Sequence, residues 1–140
     1  MARIICVWGP PCGGKSTTAR KMANPGDVIV ERDNLHTALT GLPAHQHTSN
    51  GMQLANSAFY AILNRAQKLD GRFIFVCGAP TARHREPFTK IGAEMKLVWA
   101  DRATCQDRAT TERPERWSNH IDAWFNQFER DNRIEAGTLI

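Results

Sequence analysis

The sequence predicts an α/β fold, with helices on both faces of a parallel sheet of about four strands. Three observations lead there. Four short apolar runs recur along the chain, separated by helical patterns. The first two runs are continuous rather than alternating, as in strands covered on both faces. A glycine-rich stretch, "GPPCGGKS", lies directly between the first run and the first helical pattern.

The first run, "RIICVW" (3–8), is β-branched and apolar. After Lys15, "STTARKMA" reads as a helix stopped by "NPG". "DVIVE" (27–31) is the second strand, and "RDNLHTALTG" a short helix ended by Gly41. "LPAHQHTSNG" (42–51) reads as a loop. "MQLANSAFYAILNRAQKL" (52–69) is a long helix whose expected inner face is Leu54, Ala58, Ala61, Ile62 and Leu69. "RFIFVCG" (72–78) is the third strand. "TARHREPFTKIG" gives a helical turn or two, interrupted near Pro87. "MKLVWA" (95–100) is the fourth strand. Asp101 is placed to cap the helix that follows. In the last segment Ile121, Trp124, Phe125 and Phe128 stand at i, i+3, i+4 and i+7, the pattern of an amphipathic helix laid on the core.

Composition narrows the function classes. With 140 residues, one domain spanning 1–140 is expected. The net charge of +4 is spread along the chain, with 7 basic and 4 acidic groups in 1–70 and 11 and 10 in 71–140. Such a surface suits an anionic ligand without demanding nucleic acid. The four cysteines (6, 12, 77 and 105) have no CxxC spacing, which argues against zinc. The N-terminus runs straight into a strand, and no apolar run approaches a membrane span. A reducing, cytoplasmic setting is therefore expected.

Gly9 to Ser16 match G-x-x-x-x-G-K-[ST], and the strand before and helix after supply the context this motif requires. A loop that wraps phosphate must turn its N–H groups inward, which calls for glycine conformations. The expected nucleotide-binding set is Gly9, Pro11, Cys12, Gly13, Gly14, Lys15, Ser16 and Thr17. Lys15 would reach the β- and γ-phosphates of ATP, and Ser16 would ligate Mg²⁺. Cys12 reads as filler or, less simply, as a thiol activated by the helix N-terminus.

Asp33 follows the second strand, on the side of a parallel sheet where ligands bind. It is read as a general base for an attacking hydroxyl or a metal ligand, or else as the cap of a helix over 34–40. The third strand ends without Asp or Glu, which disfavours an ATPase with a strand-end carboxylate. Asp33 is then the one acid expected near metal or nucleophile. Arg102, Arg108, Arg113 and Arg116 form either an arginine-bearing lid, with Arg108 and Arg113 best placed, or a solvated face with pairs such as Glu112–Arg116. His45 and His47 make a weak metal pair and a better substrate-side or exposed loop. Trp99 could pack on a nucleotide base or in the core.

With these residues in this order, the chain resembles the 5′-kinase domain of phage polynucleotide kinases and the wider group of small P-loop kinases, over about residues 3–130. The resemblance implies that Lys15 and Ser16 bind ATP phosphates and Mg²⁺, that Asp33 is the base, and that Arg108 or Arg113 contacts the donor phosphates. On the acceptor side His36 stands where that family carries arginine, and Gly78-Ala79-Pro80-Thr81 where it often carries a polar cluster. Arg32, His36, Arg83 and Arg85 are the acceptor-binding candidates, the last two also readable as solvent-exposed. Three functions stay open: a kinase for a nucleic-acid 5′-hydroxyl, a nucleoside, nucleotide or modified-base kinase, or a nucleotide-binding regulatory module.

Overall fold

The computed structural model describes residues 1–112 and 117–128. Four parallel strands, β1 (Ala2–Trp8), β2 (Val28–Glu31), β3 (Gly71–Cys77) and β4 (Glu94–Leu97), form one sheet in the order β2-β3-β1-β4. Trp8 pairs in register with Cys77 and Leu97, so the ends of three strands meet at one edge. The connection leaving β1 runs to one side of the sheet and that leaving β3 to the other. This divergence opens a crevice beyond their carboxyl ends.

Alternation along the central strands divides the core in two. Ile5, Val7, Ile74 and Val76 pack with Ala19 of α1 (Lys15–Met22) on one face. Cys6, Trp8, Phe73 and Phe75 point to the other face, against α3 (Ser49–Ala66) and α4 (Ala82–Thr89). The predicted three layers are therefore present. At the foot of the sheet Arg72 donates to Asp27 at 2.6 Å and to the Met22 carbonyl at 2.8 Å, tying the end of α1 to β3.

Two helices differ from expectation. The α3 helix begins at Ser49, where Thr48 caps it by accepting from the Gly51 N–H at 3.1 Å. Its buried face is Gly51, Ala55, Phe59, Leu63 and Ala66, one position round from the predicted stripe. Leu54 and Leu69 are instead exposed. The reason is aromatic packing: Phe59 meets Phe75 and Phe88 edge-on at 5.4 and 6.1 Å. In α4 the chain stays helical through Pro87, because burial of Phe88 and Arg85 holds the turn on the core.

The remaining helices follow the sequence closely. The α2 helix (Arg32–Thr40) ends at Gly41 with φ 72°, the left-handed conformation glycine accepts readily. Asp101 accepts from the Thr104 N–H at 2.7 Å and caps α5 (Arg102–Glu112). In α6 (Trp117–Gln127), Ile121 and Trp124 are buried. Trp99 packs in the core with Trp124, Phe125 and Phe128 rather than standing out as a base platform. Among the described residues no helix is long and apolar enough to cross a membrane.

The rotated face of α3 gives a direct test. Phe59→Ala is expected to cost about 3–5 kcal/mol through lost burial and a cavity. Leu54→Ala is expected to stay within about 0.5 kcal/mol of wild type. Urea unfolding of both variants measures the difference.

Candidate functional site

Geometry at the end of β1 accounts for the glycines. Gly9 has φ 153°, and a Cβ there would stand 2.1 Å from the Val98 carbonyl oxygen. The loop then turns back, with the Gly13 N–H donating to the Pro10 carbonyl at 3.0 Å. Cys12 takes a left-handed φ of 60° and Gly14 one of 98°. A non-glycine residue held there stores strain of the kind found at ligand clamps. Among the described residues no side chain caps α1, so its first-turn N–H groups face the crevice as an anion site.

Lys15 folds back into this loop. Its ammonium donates to the Gly9 carbonyl at 3.0 Å and the Pro10 carbonyl at 2.8 Å. Burial pushes its pKa down, offset in part by Cys77, Glu31, Asp33 and Cys12. Arg108 of α5 donates to the Cys12 carbonyl at 2.9 Å, placing one lid candidate directly on the loop. Arg113 and Arg116, and with them the Glu112–Arg116 pair, lie outside the described residues. Arg102 instead bonds Asn126 at 2.9 Å, away from the loop.

The acids are where the structure adds most. Ser16 donates its hydroxyl to Glu31, the last residue of β2. The strand-end position that points to Asp33 in the sequence applies equally to Glu31, which is the acid in contact with Ser16. Asp33 does not cap a helix over 34–40. The helix starts at Arg32, after Glu31, which leaves Asp33 in its first turn facing the crevice. There the Asp33 carboxylate lies 3.0 Å from His47 Nε2, which is also 2.9 Å from the Ala44 carbonyl. A carbonyl only accepts, so Nε2 carries a hydrogen and donates it to Ala44, with the Asp33 carboxylate beside it. The "AHQH" loop thus reaches the site, a link across 14 residues that no local pattern signals.

Lys15, Ser16, Glu31, Asp33 and Arg108 together line a cleft of about 750 Å³. Thr17 and Pro11 sit on its wall, and Cys77 lies where the third strand ends without an acid. The donor set beside the loop, one hydroxyl and two carboxylates, suits Mg²⁺, which takes oxygen ligands and completes its shell with water and phosphate. Ser16 and Glu31, already in contact, are the residues that would hold it.

Three acceptor candidates change role or lose support. His36 is fully buried between α2 and α3. Its Nε2 accepts from the Thr48 N–H at 3.0 Å, and Nδ1 lies 3.4 Å from the Thr40 hydroxyl. Gly51 permits this approach, since a Cβ there would stand 2.7 Å from the ring. Arg85 is also fully buried, donating to the Ala79 carbonyl at 2.9 Å with its guanidinium 4.2 Å from the Trp8 ring centre. Neither side chain presents a polar group to an acceptor. Arg83 is solvent-exposed on α4. Arg32 does line the cleft, fixed to Asn56 at 2.8 Å and the Tyr60 hydroxyl at 3.0 Å.

A family model described as an AAA domain, AAA_33, matches residues 4–131. The chain belongs to that family. No curated protein matches the sequence. Solved structures of this fold include a sugar kinase from Janibacter sp. HTCC2649, at 16% identity and TM-score 0.70, covering 100% of this chain and 85% of that one. A shikimate kinase from Acinetobacter baumannii, in complex with shikimate, matches at 17% and 0.60, over 90% and 75% of the chains. A chain of the Pnkp1/Rnl/Hen1 RNA repair complex matches at 15% and 0.55, over 91% and 46%. At these identities the likeness is one of fold, the three-layer P-loop kinase arrangement.

Burial of Lys15 has a pH signature. The fold lowers its pKa, so between that value and the roughly 10.4 of an unfolded lysine the unfolded chain binds more protons. Stability contributed by this group therefore rises with pH across that window and is flat below it. The stability of wild type relative to Lys15→Met, from urea unfolding at several pH values, is expected to climb as pH rises towards about 10.4.

Proposed function

We propose that this chain is an ATP- and Mg²⁺-dependent phosphotransferase that moves the γ-phosphate to a hydroxyl. The acceptor put first is the 5′-hydroxyl of a nucleic-acid end or its terminal nucleoside. The observation that carries the proposal is the position of Asp33. It faces the same cleft as Lys15 and Ser16, with His47 3.0 Å from Oδ1 and Oδ2 left for an incoming hydroxyl. Structures sharing the fold include a chain of an RNA repair complex alongside sugar and shikimate kinases, so the choice of acceptor rests on the resemblance of the sequence motifs.

The chemistry balances with these residues. Asp33 takes the acceptor proton as the hydroxyl oxygen bonds to the γ-phosphorus. The bond from that phosphorus to the β,γ-bridging oxygen breaks, and its electron pair leaves on ADP. Lys15 exchanges its two carbonyl partners for phosphate oxygens, and Arg108 adds positive charge over the loop. Bound Mg²⁺ would neutralise developing charge on the phosphates.

Transfer of labelled γ-phosphate to a single-stranded 5′-hydroxyl oligonucleotide tests this. Lys15→Ala is expected to lose both transfer and ATP binding. Asp33→Asn is expected to lower turnover about 10²–10⁴-fold with ATP affinity kept. A nucleic-acid acceptor should also show rates that fall steeply with salt. Wild-type turnover by Asp33→Asn would remove Asp33 from the chemistry.

A further inference from the structure

Asp33 is the group whose direction matters most, and its own helix does not fix it. It stands in the first turn of α2 with part of its side chain in solvent. Among the described residues a single group meets its carboxylate, the His47 imidazole at 3.0 Å from Oδ1. The terminal torsion of an aspartate is broad. Without that contact the oxygen that receives a proton has no set place.

His47 itself is held. Its Nε2 donates to the Ala44 carbonyl at 2.9 Å. Its ring meets His36 of α2 at 5.3 Å and stands edge-on to Trp117 of α6 at 6.0 Å. The loop that carries it, 42–48, is tied to α2 at both ends. The Leu42 N–H donates to the Thr40 hydroxyl at 3.2 Å, and the Thr48 N–H to His36 Nε2 at 3.0 Å. Thr40 and His36 are joined in turn, the hydroxyl donating to the His36 carbonyl at 2.8 Å. The loop therefore hangs from the helix that carries Asp33, and His47 meets the carboxylate as part of one body.

The placing of His47 also says what it does not do. Ala44 and His45 of the same loop line the cleft that holds Lys15 and Ser16, and His47 does not. It reaches Asp33 from behind. We propose that His47 is a positioning residue, whose fixed imidazole holds Asp33 by Oδ1 and so directs Oδ2 to the acceptor hydroxyl. This rests on the phosphotransferase reading and adds an orienting partner to its base, an arrangement that active sites use to aim a proton acceptor. His47 takes no proton in the transfer and acts through Asp33 alone.

Phosphate transfer to the 5′-hydroxyl oligonucleotide tests this with His47→Ala, His47→Gln, Asp33→Asn and the double variant. His47→Ala is expected to lower kcat about 10- to 100-fold with ATP affinity kept, the cost of a misplaced group. His47→Gln is expected to recover most of that loss, because its amide can present an N–H near the place of Nε2. On the Asp33→Asn background, His47→Ala is expected to cost nothing further, since its effect passes through that carboxylate. Wild-type kcat in His47→Ala, or the same fold-loss with and without the Asp33 carboxylate, would overturn the proposal. The imidazole ¹⁵N spectrum reads the pair without turnover. Asp33→Asn is expected to shift the His47 Nε2 signal and leave that of His36 in place. No transfer by wild type with that shift present would sink the kinase reading and keep the hold of His47 on Asp33. Absence of the shift would overturn that hold whether or not phosphate moves.

Discussion

The contact between the Lys15 ammonium and the carbonyls of Gly9 and Pro10 is the constraint around which the rest is arranged. It turns the Gly9 and Pro10 carbonyls towards the lysine, while the first-turn N–H groups of α1 face the crevice. That curl requires left-handed backbone at Cys12 and Gly14 and a close approach of Gly9 to Val98. Strain of this kind persists only where the surroundings over-determine it. The surroundings here are the interior position of β1, paired on both sides, and α1 packed across Ile5 and Val7.

With the loop fixed, each other element brings one group. The end of β2 brings Glu31 against Ser16, and the first turn of α2 brings Asp33. The loop before α3 brings His47 to Asp33, and α5 brings Arg108 over Cys12. Four connections thus converge on one cleft, as a parallel sheet with diverging crossovers allows. The buried His36 and Arg85 belong to this scaffold. One locks α2 to the start of α3, and the other pins the backbone after β3 beneath Trp8.

Much of this was legible because it is local. The strands, the loop with Lys15 and Ser16, the Gly41 stop and the Asp101 cap each follow from a few neighbouring residues. The face of α3 was not, because its exposed side carries Leu54 and Ala61 while the buried side is chosen by where Phe59 meets Phe75 and Phe88. Glu31 carries no separate signal, because Asp33, two residues on, fits the same strand-end position and no local pattern shows that Ser16 reaches Glu31. His36 and Arg85 looked like surface ligands by residue type. Their burial depends on partners supplied by Thr48, Ala79 and Trp8, distant in sequence or set by a turn. His47 meets Asp33 only once α2 and α3 have packed.

The most direct measurement is an amide ¹H–¹⁵N titration of the protein with ATP and Mg²⁺. The largest shifts are predicted at Gly13, Gly14, Lys15 and Ser16, with smaller ones at Glu31, Asp33 and Arg108. Binding that leaves residues 12–17 unmoved and shifts another surface would contradict the phosphate cradle, and with it the role assigned to every group around it.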